Sequence, residues 1–429
     1  ITPDKNNNWI NLSENDWDDL IAVCDKNVKA GKSEEALFEL FSTGIVTARD
    51  EWVYDLNREN LKSKISFFIN EYTQVLSKSK DEPELLNIGT TIKWSRNLKN
   101  YLKRGINLEI TEKNILRSLK RPFYKPYFYF EKGMNDEIGY FKSIIEGENK
   151  IIGINNNSPL FNTLCNNTVF DFASLIVSSG QTQCLPLYRY QNGERMDNIT
   201  DWGLQLFTDH YLGTEEKREI FQKQWRILHP PAWTERIGFP KEEVGDDPYQ
   251  LYKIDLFYYV YAVLHHPSYR KKYELNLKRE FPRIPLYDNF PQWRAWGEQL
   301  MNLHINYEEV NPYPLDVLET VMEAVSIEAL EKFKKAKLKA NKAAGTIELD
   351  GLTVINGIPA IAWDYKLGNR SALEWILDQY KEKKPSDPTI AEKFNTYKFA
   401  DYKEQVIDLL KRVCTVSVET MKILNEMPD

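Results

Sequence analysis

Cysteine is scarce in this chain. Its four residues, Cys24, Cys165, Cys184 and Cys414, lie far apart and form no CxxC pair, which argues against a disulfide framework and for a reducing cytoplasm. Long apolar runs are also missing. The longest, LFYYVYAVL at 256–264, is far short of the ~20 residues that cross a bilayer, and the N-terminus carries no signal pattern. Positive charge is not in surplus: 56 Lys and Arg stand against 63 Asp and Glu, a net charge of -7. A strongly basic nucleic-acid binder is thereby excluded at whole-chain level, so any such contact must come from local patches. The chain opens ITPDKNNNWI without a Met, and the expectation is one part of a larger protein.

Aromatic residues are plentiful, with 24 Tyr, 20 Phe and 11 Trp among 429 residues. That content excludes disorder as the dominant state and suffices for two to three domains. Helical spacing predicts two short helices over 12–43, with Ser33 opening the second and Gly44 stopping it, then a helix through Leu61, Ile65, Phe68, Ile69 and Tyr72. A short helix is expected at 92–102, and a strand or edge segment in the proline-punctuated LKRPFYKPYFYF. Short apolar runs at 150–154, 168–172 and 183–190, bounded by turn chemistry, predict strands. The segment PYQLYKIDLFYYVYAVLHHP is apolar almost all round, which predicts a deeply buried helix. A helix restarting at Pro267 and ending near Phe281 is expected next, then one from Pro291 to Ile305. A long helix or helix pair over 315–344 would end at Gly345. Beyond it come a hairpin around Asp350-Gly351, a capped helix at 369–380, and two closing helices from Tyr402 and from Ser417. The expected fold class is α+β: a helical connector, a β-rich middle and a helical C-terminal part carrying the hairpin.

Several catalytic signatures are absent. Neither a Gly-rich phosphate loop nor GxSxG nor HExxH occurs. The five histidines are scattered, and His265-His266 at the end of the buried helix reads as structural. One set mimics a metal-dependent nuclease: Asp350, Asp364 and Lys366, two carboxylates for a hard cation and a lysine to orient water. The bland alternative is that Asp350 makes a turn and the others decorate a loop. Basic candidates are Arg117, Lys120, Arg121 and Lys125 in the aromatic segment, where rigid surroundings can aim cations at phosphates or guanine edges. Arg370, with Lys383 and Lys384 in the loop 381–389, makes a further patch. The lysines from Lys332 to Lys342 spread round their predicted helix and read as a solvated face.

Seven segments taken together resemble a known family. They are TARDEWVYDLN (47–57), IKWSRNLK (92–99), RSLKRPFYKPYFYF (117–130), CLPLYRY (184–190), YVYAVLHHPSYRKKYELNLKREFPRIPL (259–286), GIPAIAWDYKLGNRSALEWILDQY (357–380) and RVCTVSVET (412–420). In this order they resemble the C-terminal target recognition region of type ISP restriction–modification enzymes. In those single-chain proteins a nuclease, a helicase-like translocase, an adenine-N6 methyltransferase and a target recognition domain follow one another.

The resemblance implies a module that recognises double-stranded DNA beside the other modules of the same polypeptide. It positions a target adenine for the methyltransferase and controls translocation and cleavage. No catalytic residue, metal or cofactor is then expected in this chain; S-adenosylmethionine, ATP and Mg are implied for the full-length enzyme. Residues 1–45 would connect to the methyltransferase, 46–247 form a β-rich first part of the recognition domain, and 248–429 a mainly helical second part. DNA-contacting side chains are expected at Arg117, Lys120, Arg121, Lys125, Arg370, Lys383 and Lys384. Trp52 and Trp375 in the shared motifs are expected to be buried anchors. Base-reading residues are expected in the stretches 102–111, 147–167, 191–198, 235–247 and 382–395.

Overall fold

The computed structural model describes residues 15–81, 89–156, 158–176, 179–228, 249–320, 333 and 335–429. Helices and several small, mostly antiparallel sheets alternate along the chain, as α+β predicts. One four-stranded sheet orders Ser42–Thr43, Gln181–Pro186, Ile151–Asn156 and Thr163–Asn166. A second orders Tyr54–Asp55, Tyr127–Tyr129, Ile115–Leu119 and Val169–Phe170, the last pair parallel. Buried side chains form two apolar cores, each assembled from segments distant in sequence. One runs from Ile45 to Val418 and holds Trp52, Phe128 and Trp375. The other runs from Trp17 to Met427 and surrounds the helix Lys253–His265.

That helix is buried from Ile254 to His265, as its all-round apolar sequence requires. It packs on the helix Phe290–Ile305. The approach depends on Gly297, where an added Cβ would sit 1.8 Å from the Tyr258 carbonyl oxygen. The helices expected around Leu61 and at 92–102 are Arg58–Asp81 and Arg96–Lys103. Ser95 caps the second by accepting from the Leu98 N–H. The aromatic segment forms a hairpin in which Arg117 faces Tyr127.

Elsewhere tertiary pairing overrides local pattern. No helix forms over 33–43: Leu37 and Phe38 donate to Ala22 and Val23, and Glu39 donates to Asn198, so the segment is held extended. The long helix over 315–344 is replaced by strands Asp316–Glu319 and Lys339–Asn341, although 321–332 and 334 lie outside the described residues. Both strands complete the predicted hairpin, giving the order Asp316–Glu319, Thr353–Asn356, Thr346–Glu348, Lys339–Asn341. Gly345 serves the turn between Lys339–Asn341 and Thr346–Glu348 at φ +65, rather than stopping a helix. The helix restarting at Pro267 is shorter than expected, as Pro267–Lys272 and Glu274–Leu277. The two closing helices are one, Lys403–Glu426. Ser417 inside it returns its hydroxyl to the Val413 carbonyl, and Thr415 bonds Asn311, so neither breaks the ladder. The boundary expected at 247/248 and the stretch 235–247 lie outside the described residues, as do Lys332 and Lys334. Among the described residues no helix is long and apolar enough to cross a membrane.

Candidate nucleic-acid interface

The hairpin of Ile115–Leu119 and Tyr127–Tyr129 sets the first basic group. Arg117 lies 5.1 Å above the Tyr127 ring and 3.3 Å from Glu308, on a partly exposed face. Lys120 stands 4.3 Å over the Tyr54 ring with its ammonium 3.3 Å from Asp50. Arg121 reaches Asp171 at 3.5 Å. Lys125 is different: it is 8% exposed, its ammonium 3.4 Å from the Ile305 carbonyl and 4.7 Å above Tyr307. Burial lowers its pKa. It therefore joins the hairpin to the helix Phe290–Ile305 rather than standing in solvent.

Two carboxylates beneath the hairpin hold its cations. Asp171 is buried and accepts from the Tyr54 hydroxyl at 3.0 Å and the Ala173 N–H at 2.8 Å. Burial, with the nearby Asp50, raises its pKa. Burial also pushes Asp50 up, but Lys120 and the Thr47 hydroxyl outweigh it and hold that carboxyl below the usual range.

The second basic group is organised by Asp378. Its carboxylate gathers Arg370 at 3.1 Å, Lys381 at 3.3 Å and Lys383 at 3.9 Å, and Arg370 lies 5.1 Å over Trp375. Lys384 is exposed, with no carboxylate in ion-pairing range among the described residues. A groove of about 240 Å³ is lined by Tyr54, Lys64, Tyr124, Lys381, Lys383 and Asn395 among others. Tyr124 packs edge-on to Tyr380 at 5.5 Å. Of the predicted cations, Lys383 lines this groove; Arg370 joins it through Asp378, while Arg117, Lys120 and Arg121 lie on the hairpin that carries Tyr124 and pair with Glu308, Asp50 and Asp171.

Next to it lies a larger cavity of about 570 Å³, lined by Asp50, Glu51, Lys93, Ser386 and Asp387 among others. Glu51 borders both. Its carboxylate accepts from the N–H and hydroxyl of Ser386 and from the Asp387 N–H, which fixes the loop carrying Lys383 and Lys384. The Trp52 indole N–H donates to Asp387 at 2.7 Å, and Asp387 caps the helix Pro388–Lys393. Trp52 and Trp375 are buried, as expected of anchors; Trp375 donates to the Leu367 carbonyl at 2.9 Å. Lys381 belongs to the loop 381–389 expected from the sequence, whereas Lys64 and Lys93 carry no local signal, because folding brings them in from other segments.

The nuclease-like set is not assembled. Asp350 is 1% exposed, accepts from the Leu352 and Thr353 N–H groups and lies 3.3 Å from Lys403. It makes the turn and closes the sheet against the C-terminal helix. Asp364 and Lys366 are exposed beyond the 3-10 turn Ala360–Trp363. No group of three or more His, Cys, Asp or Glu that could hold a metal ion occurs among the described residues. In the lysine run, Lys337 and Lys342 pair with Glu348 and Glu374, and Lys339 is exposed on a strand.

Comparison with solved structures finds chains of the same fold. The chain in the structure titled as a DrdV–DNA complex by cryo-electron microscopy is 42% identical, with a TM-score of 0.84; the match covers 100% of this chain and 40% of that one. A nuclease-deletion mutant of the Type ISP restriction–modification enzyme LlaGI, in complex with a DNA substrate mimic, is 26% identical with a TM-score of 0.75, over 100% of this chain and 36% of that one. The ATP-dependent Type ISP enzyme LlaBIII bound to DNA shares the fold at 24% identity and a TM-score of 0.73, over 100% of this chain and 25% of that one. The chain therefore spans well under half the length of these relatives. Curated proteins give no match. The family described as Type ISP C-terminal specificity domain matches residues 36–409, and with that match covering most of its length, the chain belongs to this family.

Proposed function

We propose that this chain recognises a specific double-stranded DNA sequence as the specificity module of a longer restriction–modification polypeptide. The observation that carries the reading is the likeness over its whole length, at 42% identity, to a chain described in complex with DNA, together with the family match. Partly exposed Arg117, Lys120, Arg121, Arg370 and Lys383, with exposed Lys384, would meet phosphates. The exposed ion pairs that Arg117, Arg370 and Lys383 make are worth at most about 1 kcal/mol each, so a phosphate can replace the carboxylate partner there; Arg121 is held more firmly, because its partner Asp171 is buried. Arg370 and Arg117, held over aromatic rings, are pre-aimed for this exchange. Lys125 would take no direct part, being committed to the Ile305 carbonyl.

On this reading the chain holds no bond-breaking group of its own. Chemistry would belong to neighbouring modules that use S-adenosylmethionine, ATP and Mg, with the recognition module presenting the target adenine and governing translocation and cleavage. The cysteines are all free and buried, which fits the expected reducing cytoplasm. A fluorescence titration against random and enriched duplex pools at two salt concentrations tests the proposal. An enriched sequence bound more tightly than the random pool is expected. Absence of any enrichment, for the chain alone and joined to its methyltransferase, would sink it.

A further inference from the structure

Among the described residues the strands Tyr188–Gln191 and Glu194–Asp197 pair only with each other, as a two-stranded ribbon outside the larger sheets. Its tip is Asn192-Gly193, at φ +55 and +83, the left-handed pair that makes a tight two-residue hairpin turn. Residues 191–195 are all exposed. Gln191, Asn192 and Glu194 make no side-chain hydrogen bond or ion pair among the described residues.

The root, by contrast, is fixed. Asn198 is fully buried, donates to the Leu40 and Pro186 carbonyls at 2.8 Å each and accepts from the Leu40 N–H. Arg189 pairs with Glu39, Lys253 lies 3.5 Å from Asp197, and the Tyr190 hydroxyl donates to the Glu148 carbonyl at 2.6 Å. Arg195 is held 4.5 Å over the Tyr188 ring. The ribbon is thus fixed at its base, with Gln191, Asn192 and Glu194 uncommitted at its end.

We infer that this ribbon enters the major groove and that Gln191, Asn192, Glu194 and Arg195 read base edges there. The inference rests on the recognition reading above and names where part of its selectivity resides. A two-stranded ribbon, with strands about 4.8 Å apart, fits a groove about 12 Å wide. The tip side chains are those that discriminate base pairs: Arg for guanine, Asn and Gln for adenine, Glu for the cytosine amino group. Glu194 also separates this use from plain phosphate binding. A carboxylate at the tip is repelled by the backbone but accepts a hydrogen bond from cytosine inside the groove. The nearby charges of Arg189 and Asp197 are matched by Glu39 and Lys253, so they add no net attraction to phosphate. Within the predicted stretch 191–198, the structure singles out the tip.

The test is selection of bound duplexes from a random pool by the full chain and by Gln191→Ala, Asn192→Asp, Glu194→Gln and Arg195→Ala. The parent should enrich a motif. At least one variant should then lose preference at one or two adjacent base pairs, on the order of tenfold or more, while the other positions keep theirs. A parent motif that every variant enriches with unchanged base preferences would overturn the ribbon's role and leave the recognition reading standing. A uniform loss of affinity with the motif preserved would overturn it as well, because that marks phosphate contact. A parent that enriches nothing, both alone and joined to its methyltransferase, overturns both.

Discussion

His304 sits inside the protein, 1% exposed, between two hydroxyls. The Tyr261 hydroxyl, which accepts from the Cys165 N–H at 3.0 Å, bonds His304 Nδ1 at 2.6 Å, and Nε2 bonds the Thr420 hydroxyl at 2.9 Å. Burial, then Arg270, takes the His304 pKa from 6.5 to about 3. The unfolded chain binds this proton below about pH 6.5 while the folded one refuses it. The stabilisation is therefore complete above that pH and lost as pH falls toward 3. Between pH 7 and 5 the loss is on the order of 2 kcal/mol. Urea midpoints at the two pH values should differ less for His304→Gln than for the parent, and an equal difference would refute the assignment. Asp387 carries a separate prediction, since it both caps a helix and accepts from the Trp52 indole. Asp387→Ala should cost about 1–3 kcal/mol in urea denaturation, from a lost cap and an unpaired buried N–H. Trp52 and Trp375 as anchors were legible in sequence. The use of Asp387 was not, because its partner lies 335 positions away.

Among elements, the packing of Lys253–His265 on Phe290–Ile305 separates propensity from contact. Alanine in place of glycine inside a helix favours that helix by about 1 kcal/mol. At Gly297 the new methyl would meet the Tyr258 carbonyl, so Gly297→Ala should instead lower stability, by about 3 kcal/mol or more, seen as a fall in melting temperature. A neutral or raised melting temperature would show that the helices can separate without loss. The helix Ala372–Gln379 offers a milder case. Ser371 and Glu374 form a reciprocal capping box, and Ser371→Ala should cost about 1 kcal/mol. The sequence pattern reveals such elements where burial on one helical face, or on all of them, dictates the period. It misleads at 33–43 and 339–341. There, helix-like composition is overruled by hydrogen bonds to Ala22, Val23 and Asn198, and by pairing with Thr346–Glu348.

For the whole molecule the net charge of -7 limits non-specific attraction to DNA, so contact should depend on a few local cations. Each phosphate contact removed lowers the slope of log affinity against log salt by about 1. Lys383→Ala and Lys384→Ala are each expected to flatten that slope by about this amount without changing the enriched sequence. Lys125→Ala should leave the slope unchanged and lower stability, because its ammonium is turned inward. A steeper loss of slope with Lys125→Ala than with Lys383→Ala would reverse this assignment of roles.

Composition by itself determined that the chain folds around aromatic cores and has no apolar run long enough to span a bilayer, because both depend on how much apolar side chain is present and in what run lengths. The apolar pattern determined the buried helix and strand structure in the aromatic segment, where neighbours in sequence are neighbours in space; that the segment closes as a hairpin was decided by the fold. Tertiary structure alone decided that Asp350 closes a turn against Lys403 instead of facing Asp364, that Lys125 points inward, and that the hairpin and the 381–395 loop share a groove. Those outcomes depend on contacts between residues far apart along the chain, and one-dimensional spacing does not encode which of several possible partners a side chain will meet.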